Sequence, residues 1–139
     1  MIRGIVSGFW NPLHFGHIEY INESKARCDE LIVIVNNDYQ VKLKGSKPFM
    51  DEGHRAKIVD NLASVNFVFI SIDLDKTVCE SIKYIKSLWP LDKFKFFNSG
   101  DRGGNNADTA EILLCKELDI EYVFIEKPKI YSSSVLLSQ

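Results

Sequence analysis

The chain has 139 residues, of which 45% are apolar and 26% are charged, with 17 basic against 19 acidic side chains. This is the composition of an ordinary globular protein, and it excludes disorder or low complexity as a description of the whole chain. The net charge of −2 argues against a dedicated nucleic-acid binder. No apolar run approaches the roughly 18–20 residues of a membrane span. We therefore expect a single cytoplasmic domain over residues 1–139.

Five short apolar runs alternate with stretches of helical spacing. The runs lie at residues 2–7, 31–36, 67–72, 94–98 and 122–125. The unbroken apolar run of residues 31–35 is typical of a strand that is buried on both faces of a parallel sheet. Three sets of apolar residues predict helices: Ile58, Val59 and Leu62; Val78, Ile82, Ile85 and Trp89; and Ala110, Leu114 and Leu118. Asp51 and Asp108 stand where helix N-caps are expected.

The alternation of strands and helices predicts an α/β fold, a single Rossmann-like domain with a five-stranded parallel sheet flanked by helices on both faces. Such sheets bind ligands outside the carboxyl ends of their strands. The segments that follow the predicted strands are therefore the places to search for chemistry. The three cysteines, Cys28, Cys79 and Cys115, are too widely spaced for a disulfide framework, and we expect Cys28 and Cys115 to be small buried residues.

Two of the three histidines, His14 and His17, follow the first strand and enclose Gly16. Gly8 would let the chain turn off the strand, and Gly16 would let a ligand approach the backbone. Imidazoles beside a helix N-terminus form a phosphate site. The alternatives are ordinary surface histidines, or a zinc site, for which the sequence supplies no third or fourth ligand at a suitable spacing.

A basic loop follows the second strand and leads to Arg55. It contains Lys42, Lys44 and Lys47, and Arg55 shares a helical face with Val59. An inward-facing arginine needs an anionic partner, and a bound phosphate would serve. The alternative is a solvated lysine run with an ordinary salt bridge for Arg55.

Two polar segments follow the last two strands. Gly100, Asp101 and Arg102 begin a loop rich in glycine and asparagine, which is either a ligand loop or a plain turn. A serine triplet near the end of the chain could cradle phosphate at a helix start or simply cap that helix. The triplet consists of Ser132, Ser133 and Ser134.

The segment from Gly8 to His17 resembles the HxGH signature of the nucleotidyltransferase superfamily, with Trp10 and Asn11 where many members carry Phe-Asp. The Asn-Pro variant is similar to that of nicotinate mononucleotide adenylyltransferases. The pattern around Lys44 and Arg55 resembles heptose 1-phosphate adenylyltransferases and glycerol-3-phosphate cytidylyltransferases. Gly100 and Asp101 resemble the Gly-Gly-Asp of the heptose enzymes, and the serine triplet resembles the Ser-Ser-Thr motif of the superfamily.

This resemblance implies transfer of a nucleotidyl group from an NTP to a phosphorylated small molecule, with release of pyrophosphate. The acceptor it favours is a heptose-1-phosphate-like sugar 1-phosphate with ATP. A cytidylyltransferase acting on glycerol 3-phosphate or another polyol phosphate is the alternative, and archaeal FMN adenylyltransferases are similar too. A non-catalytic nucleotide-binding domain is the alternative from another class. The resemblance also implies a homodimer, and Mg²⁺ held mainly by nucleotide phosphates rather than by a protein metal site.

The resemblance assigns catalysis to three residues: His14, His17 and Lys44. It assigns nucleotide and phosphate binding to a larger set: Gly8, Phe9, Trp10, Asn11, Gly16, Arg55, Gly100, Asp101, Arg102, Ser132, Ser133 and Ser134.

Overall fold

The structure, a computed structural model, describes residues 1–99 and 109–126. The described elements are β1 (Ile2–Gly8), α1 (Phe15–Lys25), β2 (Glu30–Val35), α2 (Asp38–Leu43), α3 (Glu52–Asp60), β3 (Phe67–Ile70), α4 (Cys79–Leu88), β4 (Lys93–Ser99), α5 (Thr109–Glu117) and β5 (Glu121–Ile125). The strands pair in parallel throughout, in the order β3-β2-β1-β4-β5. The predicted Rossmann-like α/β fold is confirmed.

The central strands bury both of their faces, as the unbroken apolar run predicted. Residues 31–35 of β2 are fully shielded from solvent. Their alternate side chains belong to two apolar clusters, since successive residues of a strand point to opposite faces of the sheet. One cluster includes Ile82 of α4 and Leu114 of α5, and the other includes Ile21 of α1 and Val59 of α3. Helices therefore cover both faces of the sheet.

Several predicted elements differ in detail from the structure. β3 ends at Ile70 because its pairing with β2 stops opposite Val35. A short helix, α2, lies within the segment that we interpreted as a loop. Ile58 is exposed while Val59 is buried, because α3 buries only a narrow face against the sheet. Asp51 is the predicted N-cap of α3, and the backbone N–H of His54 donates to its carboxylate and lowers the pKa of that group.

Cys115 is buried and Cys28 is half-buried, as expected for small apolar side chains. Burial raises the pKa of the Cys115 thiol to about 11. Burial also raises the pKa of the Cys28 thiol. Both thiols are therefore protonated at neutral pH and are poor nucleophiles.

Part of the predicted site lies outside the described residues. Gly100, Asp101 and Arg102 follow β4, and Ser132, Ser133 and Ser134 follow β5, in segments of which nothing structural is stated. The predicted cap Asp108 falls in the same category. Within residues 1–99 and 109–126, no helix is long and apolar enough to cross a membrane.

Candidate active site

A cavity of about 600 Å³ opens where the carboxyl ends of β1 and β4 meet. These two strands are neighbours in the sheet, but the helices that follow them lie on opposite faces. Helix α1, which follows β1, packs in one apolar cluster, and helix α5, which follows β4, packs in the other. Open α/β sheets bind ligands in the crevice that such a divergence creates. The lining residues are Ser7, Gly8, Phe9, Trp10, Asn11, Pro12, His14, Gly16, His17, Tyr20, Asn36, Gln40, Lys44, Lys76, Val78, Ser99 and Glu111.

The indole of Trp10 forms the base of the first loop. Trp10 is almost fully buried, has a positive φ of 50°, and donates from Nε1 to the Ile34 carbonyl at 3.1 Å. A Cβ at Gly8 would approach this ring to 2.8 Å. Gly8 is the last residue of β1 rather than a turn residue, so its role is to leave room for the indole. The indole and the imidazole of His17 pack in a T-shaped contact, with their ring centroids 5.0 Å apart.

His14 and His17 occupy the N-cap and third positions of α1 and form a reciprocal capping pair. The backbone N–H of Gly16 donates to Nδ1 of His14, and the backbone N–H of His14 donates to Nδ1 of His17, both at 3.1 Å. The two rings stack with centroids 3.7 Å apart. A ring nitrogen that accepts such a bond carries no proton, so in each neutral imidazole the proton is on Nε2. The two-residue spacing between the histidines therefore aligns a pair of Nε2–H donors at a helix N-terminus.

Lys44 brings positive charge to the cavity from the end of α2. It is the C-cap residue of that helix, and its ammonium lies 4.4 Å from the centroid of the Phe9 ring. Cation–π contacts of this kind orient an ammonium without neutralising its charge. Of the three lysines of the predicted basic loop, Lys44 lines the cavity, whereas Lys42 and Lys47 do not.

Arg55 is directed inward as predicted, but its partners belong to the protein. The guanidinium is fully buried and does not line the cavity. It donates to the carbonyls of Phe9, Asn36 and Met50 at 2.7–2.9 Å, and to the carboxylate of Asp38 at 2.6 Å. The interpretation of Arg55 as a phosphate ligand is therefore corrected. Through these hydrogen bonds, Arg55 joins the histidine loop to the segments around α2 and α3.

Asn11 makes a second connection of the same kind. Its side-chain amide donates to the Lys47 carbonyl at 3.0 Å and accepts from the backbone N–H of Phe49 at 2.6 Å. The aspartate that many relatives have at this place could accept but not donate, so asparagine suits the two-sided contact. Asn11 therefore holds the first loop against residues 47–49 while also lining the cavity.

Seven polar residues of the cavity wall were not predicted from the sequence: Ser7 and Tyr20, which flank the histidine loop, and Asn36, Gln40, Lys76, Ser99 and Glu111, which lie farther along the chain. Gln40 and Glu111 are buried, and Glu111 accepts from the backbone N–H of Val78 at 3.2 Å. Lys76 is exposed on the cavity wall. The residues farther along the chain belong to no recognisable motif, because each reaches the cavity through the packing of an element that is remote in sequence from the histidine loop. The sequence offered no signal for Gln40, because α2, the helix that carries it, was itself not predicted.

The described residues offer no group of three or more His, Cys, Asp or Glu side chains that could hold a metal ion. Glu111 is the single carboxylate among the described residues that line the cavity. A divalent ion in this cavity would therefore rely on oxygen atoms of a bound ligand and on water.

The family model for cytidylyltransferase-like proteins matches residues 5–134. The chain belongs to the cytidylyltransferase-like family. It is therefore a nucleotidyltransferase, and the superfamily indicated by the HxGH resemblance is confirmed.

This cytidylyltransferase-like protein is similar in sequence to two curated proteins and in structure to a third protein. The FAD synthase of Thermoplasma acidophilum is 36% identical over 96 residues, which are 68% of each chain. The bifunctional protein HldE of Caulobacter vibrioides is 41% identical over 69 residues, which are 48% of this chain but 14% of that protein. The crystal structure of the lipopolysaccharide core biosynthesis protein from Thermoplasma volcanium superimposes with a TM-score of 0.76 at 25% identity, covering 93% of this chain and 99% of that one.

The cavity of this family member brings together most of the predicted residues that the structure describes. They are His14, His17 and Lys44, with Gly8, Phe9, Trp10, Asn11 and Gly16. Their roles toward a ligand remain predictions.

Proposed function

We propose that the protein transfers the adenylyl group of ATP to the phosphate of a small acceptor and releases pyrophosphate. The observation that carries this proposal is the stacked pair His14 and His17 at the start of α1. Both rings lie on the cavity wall with Nδ1 bonded to the backbone. Two aligned Nε2–H donors at a helix N-terminus suit the oxygens of a phosphate that gains negative charge.

The reaction needs no nucleophilic side chain. An oxygen of the acceptor phosphate attacks the α-phosphorus of ATP, and the bond from that phosphorus to the bridging oxygen of the β-phosphate breaks. The electron pair leaves with pyrophosphate. Positioning and charge stabilisation supply most of the catalysis in such transfers. His14 and His17 would donate to the bridging and non-bridging oxygens, Lys44 would neutralise phosphate charge, and the predicted serine triplet would hold the β- and γ-phosphates.

FMN is the acceptor that we propose first. The similarity to an FAD synthase extends over 68% of both chains, and FAD is FMN bearing an adenylyl group. A heptose-1-phosphate-like sugar 1-phosphate is the second candidate. The similarity to HldE over 69 residues and the sequence pattern around Lys44 and Gly45 favour it.

We propose Mg²⁺ as the divalent ion that accompanies the triphosphate. The wall of the cavity fits an ion held by phosphate oxygens, since it offers a single carboxylate among the described residues. Bound in this way, Mg²⁺ would neutralise part of the triphosphate charge. A homodimer, a cytoplasmic location and the absence of a nucleic-acid partner are further predictions.

The experiment is a matrix of pyrophosphate release assays with Mg²⁺, in which ATP or CTP is crossed with FMN, heptose 1-phosphate and glycerol 3-phosphate. We expect turnover with ATP and FMN, with FAD identified by mass spectrometry. Turnover with CTP and glycerol 3-phosphate instead would contradict adenylyl transfer. Nucleotide binding without turnover in any combination would favour the non-catalytic nucleotide-binding domain.

A further inference from the structure

A short strap of the chain, residues 75–78, crosses the cavity edge between β3 and α4. The side-chain amide of Gln40 donates from Nε2 to the carbonyls of Asp75 and Thr77, both at 2.8 Å. The carboxylate of Glu111 accepts from the backbone N–H of Val78 at 3.2 Å. The strap is therefore held by Gln40 of α2 on both sides of Lys76 and by Glu111 of α5 at Val78.

The amide of Gln40 is itself fixed in orientation. Its oxygen accepts from the side-chain amide of Asn36 and from the backbone N–H of Asn37, each at 3.1 Å, and from the hydroxyl of Ser71. These donors require the amide oxygen on their side, so the amide nitrogen must face the strap. Gln40 is almost fully buried, which makes these bonds costly to lose.

Lys76 is the cation that the strap presents to the cavity. It lies between the two carbonyls that Gln40 binds, and its side chain is exposed on the cavity wall. Within residues 1–99 and 109–126, no carboxylate lies within ion-pair distance of its ammonium. The ammonium is therefore available to an anionic ligand.

The helix that follows the strap cannot serve a phosphate with its N-terminus. The buried carboxylate of Asp73 already accepts from the backbone N–H groups of Glu80 and Ser81, at 2.8 and 3.0 Å. These are the donors that a helix start would otherwise offer to an anion. In the described part of the chain, the positive charge on this wall therefore comes from the side chain of Lys76.

The strap and the histidine pair belong to opposite sides of the sheet. Val78 packs in the cluster of α4 and α5, whereas Trp10, which contacts the ring of His17, packs in the cluster of α1 and α3. In an in-line displacement, the attacking oxygen and the leaving pyrophosphate stand on opposite sides of the α-phosphorus. If the histidines face the leaving group, the attacking phosphate comes from the side of the strap.

We infer that Lys76 binds the phosphate of the acceptor, and that Gln40 is the positioning residue that holds the strap in place. This inference rests on the proposed nucleotidyl transfer and names the group that receives the attacking phosphate. It adds Lys76 to the residues that determine which acceptors are used.

The test compares Lys76→Met with wild type for FMN, for riboflavin and for ATP. Because charge-assisted hydrogen bonds to phosphate are lost, we expect the FMN dissociation constant and KM to rise about 10- to 100-fold. Riboflavin lacks the phosphate, so its affinity should stay within twofold, as should KM for ATP. Lys76→Arg should keep part of the FMN affinity. Lys57→Met removes an exposed lysine that does not line the cavity and serves as the matched control.

The possible outcomes distinguish a failure of the Lys76 assignment from a failure of the proposed nucleotidyl transfer. If wild type makes FAD and Lys76→Met leaves KM for FMN unchanged, or raises KM for ATP instead, the assignment of Lys76 is overturned while nucleotidyl transfer stands. If wild type uses a sugar 1-phosphate, the same comparison is made with that compound and the free sugar. If wild type turns over none of the acceptors in the matrix, the proposed function fails and the inference fails with it.

Discussion

His14 and His17 have a structural role at the start of α1 in addition to the chemical role that we propose for them. Their Nδ1 atoms satisfy two backbone N–H groups at the start of α1, which a helix would otherwise leave unpaired. The same bonds put the proton of each neutral ring on Nε2. A substitution to alanine therefore removes the cap and the donor together, and it cannot tell the two roles apart.

His14→Asn separates the cap from the donor. Asparagine is among the best N-cap residues, so it can accept from the Gly16 N–H, but it carries no group at the place of Nε2. We expect the melting temperature to stay near that of wild type and pyrophosphate release to fall about 10²- to 10³-fold, the usual cost of one lost transition-state donor. Thermal melts followed by circular dichroism, together with the turnover assay, check this. A folded and fully active variant would contradict the role of His14.

Arg55 shows how a buried cation can be mistaken for a ligand group. Its inward orientation was predicted, but among residues 1–99 and 109–126 the cations at the cavity wall are Lys44 and Lys76, while Arg55 is fully buried. Four hydrogen bonds to four separate residues use the fork geometry that only a guanidinium has.

Arg55→Met should therefore act on stability. Removing the buried guanidinium leaves the partly exposed carboxylate of Asp38 and three carbonyls without their donor, and we expect the free energy of unfolding to fall by about 3–5 kcal/mol. Arg55→Lys should recover a small part, since an ammonium cannot reach all four acceptors. Urea denaturation of the variants measures the difference. An unchanged midpoint with only weakened ATP binding would instead restore the phosphate interpretation.

At the scale of elements, the end of β1 and the first loop are built around one buried ring. Gly8 leaves room for Trp10, whose indole donates to the carbonyl of Ile34 on β2 and packs against the His17 ring in a T-shaped contact. The position of the histidine pair is therefore linked to the packing of the sheet itself.

Gly8→Ala tests that link. The new Cβ would lie 2.8 Å from a buried indole that cannot move freely, so we expect a loss of about 1–3 kcal/mol in stability and a loss of activity. The matched control is Gly53→Ala in the first turn of α3, where the added Cβ meets the Asp51 carboxylate at 3.4 Å. That variant should keep or slightly raise stability, because alanine is the better helix former. Parallel denaturation curves and turnover assays distinguish the two glycines.

At the scale of the whole molecule, β3 is the edge strand on one side of the sheet. Phe67 and Ile70 on β3 and Tyr84 on α4 leave apolar surface exposed there. An unpaired, apolar edge strand is a surface through which two chains can associate. The family resemblance predicts a homodimer, and this edge is a candidate contact surface in the described part of the chain.

Sedimentation equilibrium at micromolar concentration should show a dimer for wild type, and Ile70→Lys should shift it to monomer. The new charge would have to be buried at the contact, while in the monomer it remains in water. A monomeric wild type would contradict the expected homodimer. A dimer unaffected by Ile70→Lys would place the contact elsewhere.

Much of this architecture was predictable because local chemistry and long-range packing agree. The apolar runs predicted five parallel strands, and two histidines after β1 predicted the place of the site. The short helix α2 escaped prediction because its buried face contains Gln40, a polar residue whose burial depends on partners in the loop after β3.

By itself, the sequence determined the succession of the five strands and of the helices other than α2, and the position of HxGH at a helix start, because apolar periodicity and helix capping are local properties. Only the tertiary structure decided which cations reach the cavity. Lys76 lies 62 residues beyond His14 in the sequence, yet both line the same crevice. Arg55, which follows the basic loop, is instead enclosed by backbone carbonyls and Asp38. The reason is that the destination of a charged side chain depends on hydrogen-bond partners that come together only when the chain folds.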